Sequence, residues 1–145
     1  MFGLPWLPPY DWQWMVGFLQ ARAVSGIERF QDGSYPRSWR CGEHHGLITM
    51  SPDAAHNRLC ITLTAGLMPV PDQALDGVAR LLDLHCDPQL LQRTLGSLAA
   101  ATPGLRLPGA REAFDQGIKA IPGQPVTLTM AATLTGKLVP SCRAT

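Results

Sequence analysis

The sequence predicts an α+β chain. Short runs that alternate apolar and polar residues gather between residues 25 and 65, and stripes with helical spacing dominate after residue 70. An aromatic-rich stretch, Pro8 to Val24, precedes both and has the spacing of a first helix. The chain's 145 residues suit one ordinary domain or two small ones, and an apolar fraction of 46% is enough for a packed core.

In the first helix, Asp11 stands as N-cap just after the helix-hostile pair Pro8-Pro9. At about 100° per residue, Trp14, Phe18, Arg22, Met15 and Leu19 share one arc. The opposite arc holds Gln13, Val16, Gly17, Gln20 and Ala21, mostly small or polar. An unpaired guanidinium on a core face is costly. Two readings follow from the pattern. The plainer one has Asp11 or another acid pairing a core Arg22; the other is an aromatic cleft that faces a charged or planar ligand.

The clearest strand is Leu59 to Thr64, where Leu59, Ile61 and Leu63 alternate with Cys60, Thr62 and Thr64. Tyr35 to Arg40, Gly46 to Met50 and Ile27 to Phe30 are weaker strands of an antiparallel meander. Asp32-Gly33, Cys41-Gly42 and Ser51-Pro52-Asp53 are read as turns between them. A second helix starts at Pro71-Asp72, with Leu75, Val78, Ala79 and Leu82 as its stripe. A third starts at Asp87-Pro88, an N-cap followed by proline at the first helical position, with Leu90, Leu91, Leu95 and Leu98 apolar. Thr102 to Gly109 reads as a loop bracketed by proline and glycine. A fourth helix is expected over Ala110 to Ile121, stopped by Pro122-Gly123, and a fifth from Pro125 with Met130, Leu134 and Leu138 in register. The domain division expected is 1–86 for the α+β unit and 87–145 for the start of a helical one.

A net charge of +1 gives no global attraction to nucleic acid or an anionic membrane, so DNA contact would need a local patch or backbone amides. Cys41, Cys60, Cys86 and Cys142 lack CxxC spacing, and of His44, His45, His56 and His85 only the adjacent pair is close in sequence. No metal site is expected. Without a signal-peptide pattern or an apolar stretch long enough to span a bilayer, the chain reads as cytoplasmic with reduced thiols.

Several long motifs in one order resemble a known family. They are PPYDWQWMVGFLQARAV from Pro8, LLDLHCDP from Leu81 to Pro88, PGLRLPG from Pro103 to Gly109, and LPGAREAFDQGIKAIPGQ from Leu107 to Gln124. Together they are similar to the N-terminal half of the bacterial DNA-3-methyladenine glycosylase II family, over about Leu4 to Leu138. The resemblance implies a TATA-binding-protein-like antiparallel sheet with two helices, followed by the first helices of an incomplete all-α glycosylase domain. It implies excision of alkylated bases from double-stranded DNA in base-excision repair, by a monomer active at the bacterial nucleoid, with no metal, cofactor or membrane. The base is flipped into an aromatic cleft, and the N-glycosidic bond is hydrolysed.

Residue by residue, Phe18 matches an aromatic lining that cleft, with Trp14 and Arg22 as neighbours on its arc. Gly123, Gln124 and Pro125 match a loop whose third, apolar residue wedges into the minor groove. Pro125 is smaller and stiffer than the usual aliphatic residue, although proline does serve as a wedge elsewhere. No acid matches the family's catalytic aspartate. Asp11 reads as a cap, Glu28 and Glu43 as strand or turn residues, and Glu112 and Asp115 as a solvated helix face. The expectation is a shortened family member that ends before the helix-hairpin-helix and the aspartate and is inactive alone. It carries exposed apolar faces at Phe114, Ile118, Met130 and Leu134. The alternative is a non-catalytic DNA- or protein-binding module.

Overall fold

The computed structural model describes residues 1–23, 28, 30–109, 129–130 and 133. Four strands form one antiparallel sheet: β1 (Phe2–Pro5), β2 (Tyr35–Cys41), β3 (His44–Asp53) and β4 (Arg58–Leu63), in the order β1-β4-β3-β2. Helix α1 (Trp12–Ala21) lies between β1 and β2 in the chain. After the sheet come α2 (Pro71–Leu81), α3 (Pro88–Leu95) and the short α4 (Ser97–Ala100).

The strand period of two sorts the sheet into two faces. Tyr35, Arg37 and Trp39 of β2, Ile48 and Met50 of β3, and Leu59 and Ile61 of β4 are buried. Cross-strand partners share a face, so Phe2 opposite Ile61 and Leu4 opposite Leu59 extend this side at the edge. The alternate residues Ser38, Thr49, Ser51, Cys60 and Thr62 are small or polar and lie on the other face. Trp12, Met15 and Leu19 of α1 and Ala74, Val78, Ala79 and Leu81 of α2 complete the core on the apolar side.

β2, β3 and β4 fall where the alternation predicts. β1 is not among the expected strands. It has only four residues and ends in proline, so its pattern is short, yet Phe2 and Leu4 still alternate with Gly3 and Pro5. The expected turn at Ser51-Pro52-Asp53 is instead the end of β3, and the chain reverses at Ala54 to Asn57. Pro52 is tolerated there because it lies past the last residue of β2, where β3 has a partner on one side only. Of the expected strand at Ile27 to Phe30, Glu28 makes a single bridge to Arg37; residues 24–27 and 29 lie outside the described residues. Asp32-Gly33 is a tight turn closed by the Gln31–Ser34 bridge, with both central residues at positive φ, 49° and 76°.

The helix caps match their sequence signals. Asp11 Oδ1 accepts the Trp14 N–H at 2.9 Å, and Asp87 Oδ1 accepts those of Gln89 and Leu90 at 2.9 and 3.4 Å. α3 differs in its surroundings and its length: it ends at Leu95, Gly96 follows at a φ of 55°, and Leu98 falls in α4 instead; none of its residues is buried, and Leu90, Leu91 and Leu95, like Leu98, are exposed. The expected helices over Ala110–Ile121 and from Pro125 lie outside the described residues, except that Thr129, Met130 and Thr133 are helical and Met130 is exposed.

Candidate functional site

The aromatic arc of α1 divides into two parts. Met15 and Leu19 are buried in one stripe with Trp12, a residue outside the expected arc, at i, i+3 and i+7. Trp14, Phe18 and Arg22, at i, i+4 and i+8, flank that stripe on the outward side. The Trp14 and Phe18 rings stack with centroids 5.3 Å apart at 24°. The Arg22 guanidinium carbon lies 3.7 Å from the Phe18 ring centroid, and Nη1 donates to the Phe18 carbonyl at 3.3 Å. Trp14 is 36% exposed and Arg22 is exposed.

This corrects the paired-core reading of Arg22. Asp11 is committed to the N-terminal cap, about three turns away, while Arg22 stands at the C-terminal cap. There a cation is favoured by the outward carbonyls and stays in water, so its balancing partner is a ring face and a carbonyl. The three residues form one ladder of planar groups, with Phe18 half-buried between the exposed Trp14 and Arg22.

A second arginine, in the loop after α4, fixes where that helix starts. Arg106 is 1% exposed. Its Nη1 donates to the carbonyls of Asp83 at 3.1 Å and Cys86 at 2.7 Å; Nη2 donates to those of Leu7 and Pro9. Its guanidinium also lies 4.9 Å from the Tyr10 ring centroid. The Tyr10 hydroxyl donates to the Leu82 carbonyl at 2.7 Å, and the ring sits 5.0 Å from that of Trp6. Burial pushes the Tyr10 phenol well above its ordinary pKa, with Arg106 opposing in part. Beside this cluster the Asp11 N–H donates to the Gly104 carbonyl at 2.9 Å. Gly104 has φ of +83°, and a Cβ there would lie 2.9 Å from the Asp11 nitrogen, so glycine is required. One guanidinium thus ties the segment before α1, the turn after α2 and the loop leading to residue 109.

Arg106 carried no sequence signal of its own. Its one hint was an isolated arginine inside the loop motif PGLRLPG, without an acid beside it. The same holds for the buried set under β2, where Arg37 Nη1 donates to Glu28 Oε1 at 2.6 Å and to the Tyr35 hydroxyl at 3.0 Å. Tyr35 stacks on Phe30 at 4.6 Å, and burial raises its phenol pKa too. The wedge-loop residues Gly123, Gln124 and Pro125 lie outside the described residues, as do Glu112 and Asp115. Among the described residues no cluster of three or more histidine, cysteine or acidic side chains is suited to a metal. No helix among them is long and apolar enough to cross a membrane.

The α+β architecture is that of a solved 3-methyladenine DNA-glycosylase from Archaeoglobus fulgidus. The two share a TM-score of 0.81 at 15% identity, over 97% of this chain and 50% of that one. A family model described as the AlkA N-terminal domain matches residues 1–112, and the chain belongs to that family. It is 52% identical over 138 residues to DNA-3-methyladenine glycosylase 2 of Escherichia coli K12, covering 95% of this chain and 49% of that protein. It is 30% identical over 144 residues to a probable bifunctional transcriptional activator/DNA repair enzyme AlkA of Mycobacterium tuberculosis, covering 28% of it. The chain therefore spans about half the length of the E. coli relative and less of the mycobacterial one.

Proposed function

We propose that this chain is the N-terminal part of an alkylbase-excising DNA repair glycosylase, and that the outward face of α1 is one wall of its base cleft. The observation that carries this reading is the Trp14–Phe18–Arg22 ladder, half-buried at Phe18 and exposed at both ends, on a chain 52% identical to a glycosylase. An alkylated purine flipped from the duplex is flat and, when methylated on a ring nitrogen, positively charged. Electron-rich ring faces attract such a cation by about 0.5–1 kcal/mol in water and about 2 kcal/mol or more when desolvated. Undamaged pairs hold their bases in the stack more strongly, which adds to the discrimination.

In this reading residues 1–86 form the wall-bearing domain and 87–145 begin the helical one. Gly123, Gln124 and Pro125 enter the minor groove beside the extruded nucleotide. The carboxylate that stabilises the oxocarbenium-like sugar during hydrolysis comes from sequence corresponding to the rest of the relatives. The 145-residue chain alone then binds but does not cleave. The test is release of methylated purine from alkylated duplex DNA, with this chain alone and mixed with the C-terminal half of the E. coli relative. Release by the mixture only is expected; release by the chain alone overturns the division of labour.

A further inference from the structure

Phe18 is half-buried against the core, and the part of its ring turned away from the core meets Trp14 and Arg22. Trp14 stacks toward one side of its ring and the Arg22 guanidinium lies over it at 3.7 Å. As residues four before and four after Phe18, the two approach from opposite directions along the helix. A base that stacks on Phe18 must therefore replace one of them.

Arg22 is the replaceable one. Trp14 stands in the first turn, its backbone N–H fixed by the Asp11 cap. Arg22 lies past the last helical residue, is exposed, and donates to the Phe18 carbonyl at 3.3 Å, beyond the usual range for a strong bond. Its guanidinium is also a flat, delocalised, weakly hydrated cation, and a ring-alkylated purine shares that shape and charge. We propose that Arg22 is a displaceable cap on the base seat: it occupies the Phe18 stacking position in the free protein, and a flat purine binds by taking its place. This rests on the base-wall reading and adds a specificity residue to it. Every purine competes with Arg22. A cationic one restores the ring–cation contact it displaces, whereas a neutral one does not.

The test uses the whole 145-residue chain, with 1-methyladenosine as the cationic probe and adenosine as the neutral one. Binding is followed by NMR at the Trp14 indole N–H, assigned with Trp14→Phe, and at the Arg22 side-chain protons. Arg22→Ala is expected to bind both probes about two- to five-fold tighter, the factor set by an exposed cation–π contact. In the unsubstituted chain, ring-shifted Arg22 proton signals should move to ordinary positions as probe is added. Phe18→Ala should lose the Trp14 response to both probes. If Phe18→Ala matters but Arg22→Ala leaves both affinities unchanged or weaker, the cap is overturned and the wall stands. If only the cation tightens, and salt removes the gain, Arg22 merely repels charge and the cap is again overturned. If Phe18→Ala binds normally, or Trp14 responds to neither probe in either form, the wall reading falls and takes the cap with it.

Discussion

Removing the Arg106 side chain would leave four backbone carbonyls, those of Leu7, Pro9, Asp83 and Cys86, without their buried donor. Arg106→Ala is therefore expected to lower stability by about 3 kcal/mol in urea unfolding, with Arg106→Lys between it and the unsubstituted chain. Loss of under about 0.5 kcal/mol would contradict the tie. The two tyrosines of the chain, Tyr10 and Tyr35, give a pH test. Burial raises both phenols above their ordinary pKa of about 10, so the folded state keeps its protons where the unfolded chain loses them. Their contribution to stability is complete below about pH 10 and is lost progressively as pH rises above it toward the folded values. Tyrosinate absorbance should appear with alkaline unfolding; half-ionisation near pH 10 with an intact fold would contradict the burial. None of these partners was legible in the sequence. Asp11 and Asp87 were, because a cap acts on amides two or three residues away, whereas Arg106 reaches Leu7, 99 positions back.

Local pattern fixed most of the elements. The alternation from Tyr35 to Leu63 and the stripe of α2 follow directly from periods of two and about 3.6. β1 escaped because four residues carry little periodicity, and Pro52 misled because proline's meaning depends on whether a neighbouring strand is present. α3 shows the other limit. A periodic leucine stripe predicts amphipathicity but not what covers it, and here Leu90 is 59% and Leu95 46% exposed. Leu90→Gln and Leu95→Gln should therefore leave the melting temperature of this chain within about 1–2 °C, since exposed side chains contribute little packing. A fall of several degrees in either variant would show that α3 is packed in solution. In α1 the pattern marks an aromatic and cationic arc, but the helical wheel does not divide it. That division needs the core, which buries Met15 and Leu19, half-buries Phe18 and leaves Trp14 and Arg22 at the surface.

At the scale of the whole molecule, one apolar sheet face and two helices form a core against which Phe18 packs, while the Arg106 loop sets the start of α1. The family was legible because its motifs are long and ordered. The side-chain arrangement of the wall was not, because ring stacking depends on rotamers that sequence does not specify. The central claim is that Phe18 on this face receives the base. It is tested most directly by the rate of methylated-purine release from alkylated duplex DNA, in the mixture of this chain with the C-terminal half of the E. coli relative. Phe18→Ala should reduce that rate about ten-fold or more at a temperature where circular dichroism shows the variant still folded, corresponding to about 1.4 kcal/mol of lost transition-state stabilisation. An unchanged rate from a folded Phe18→Ala chain would contradict the account.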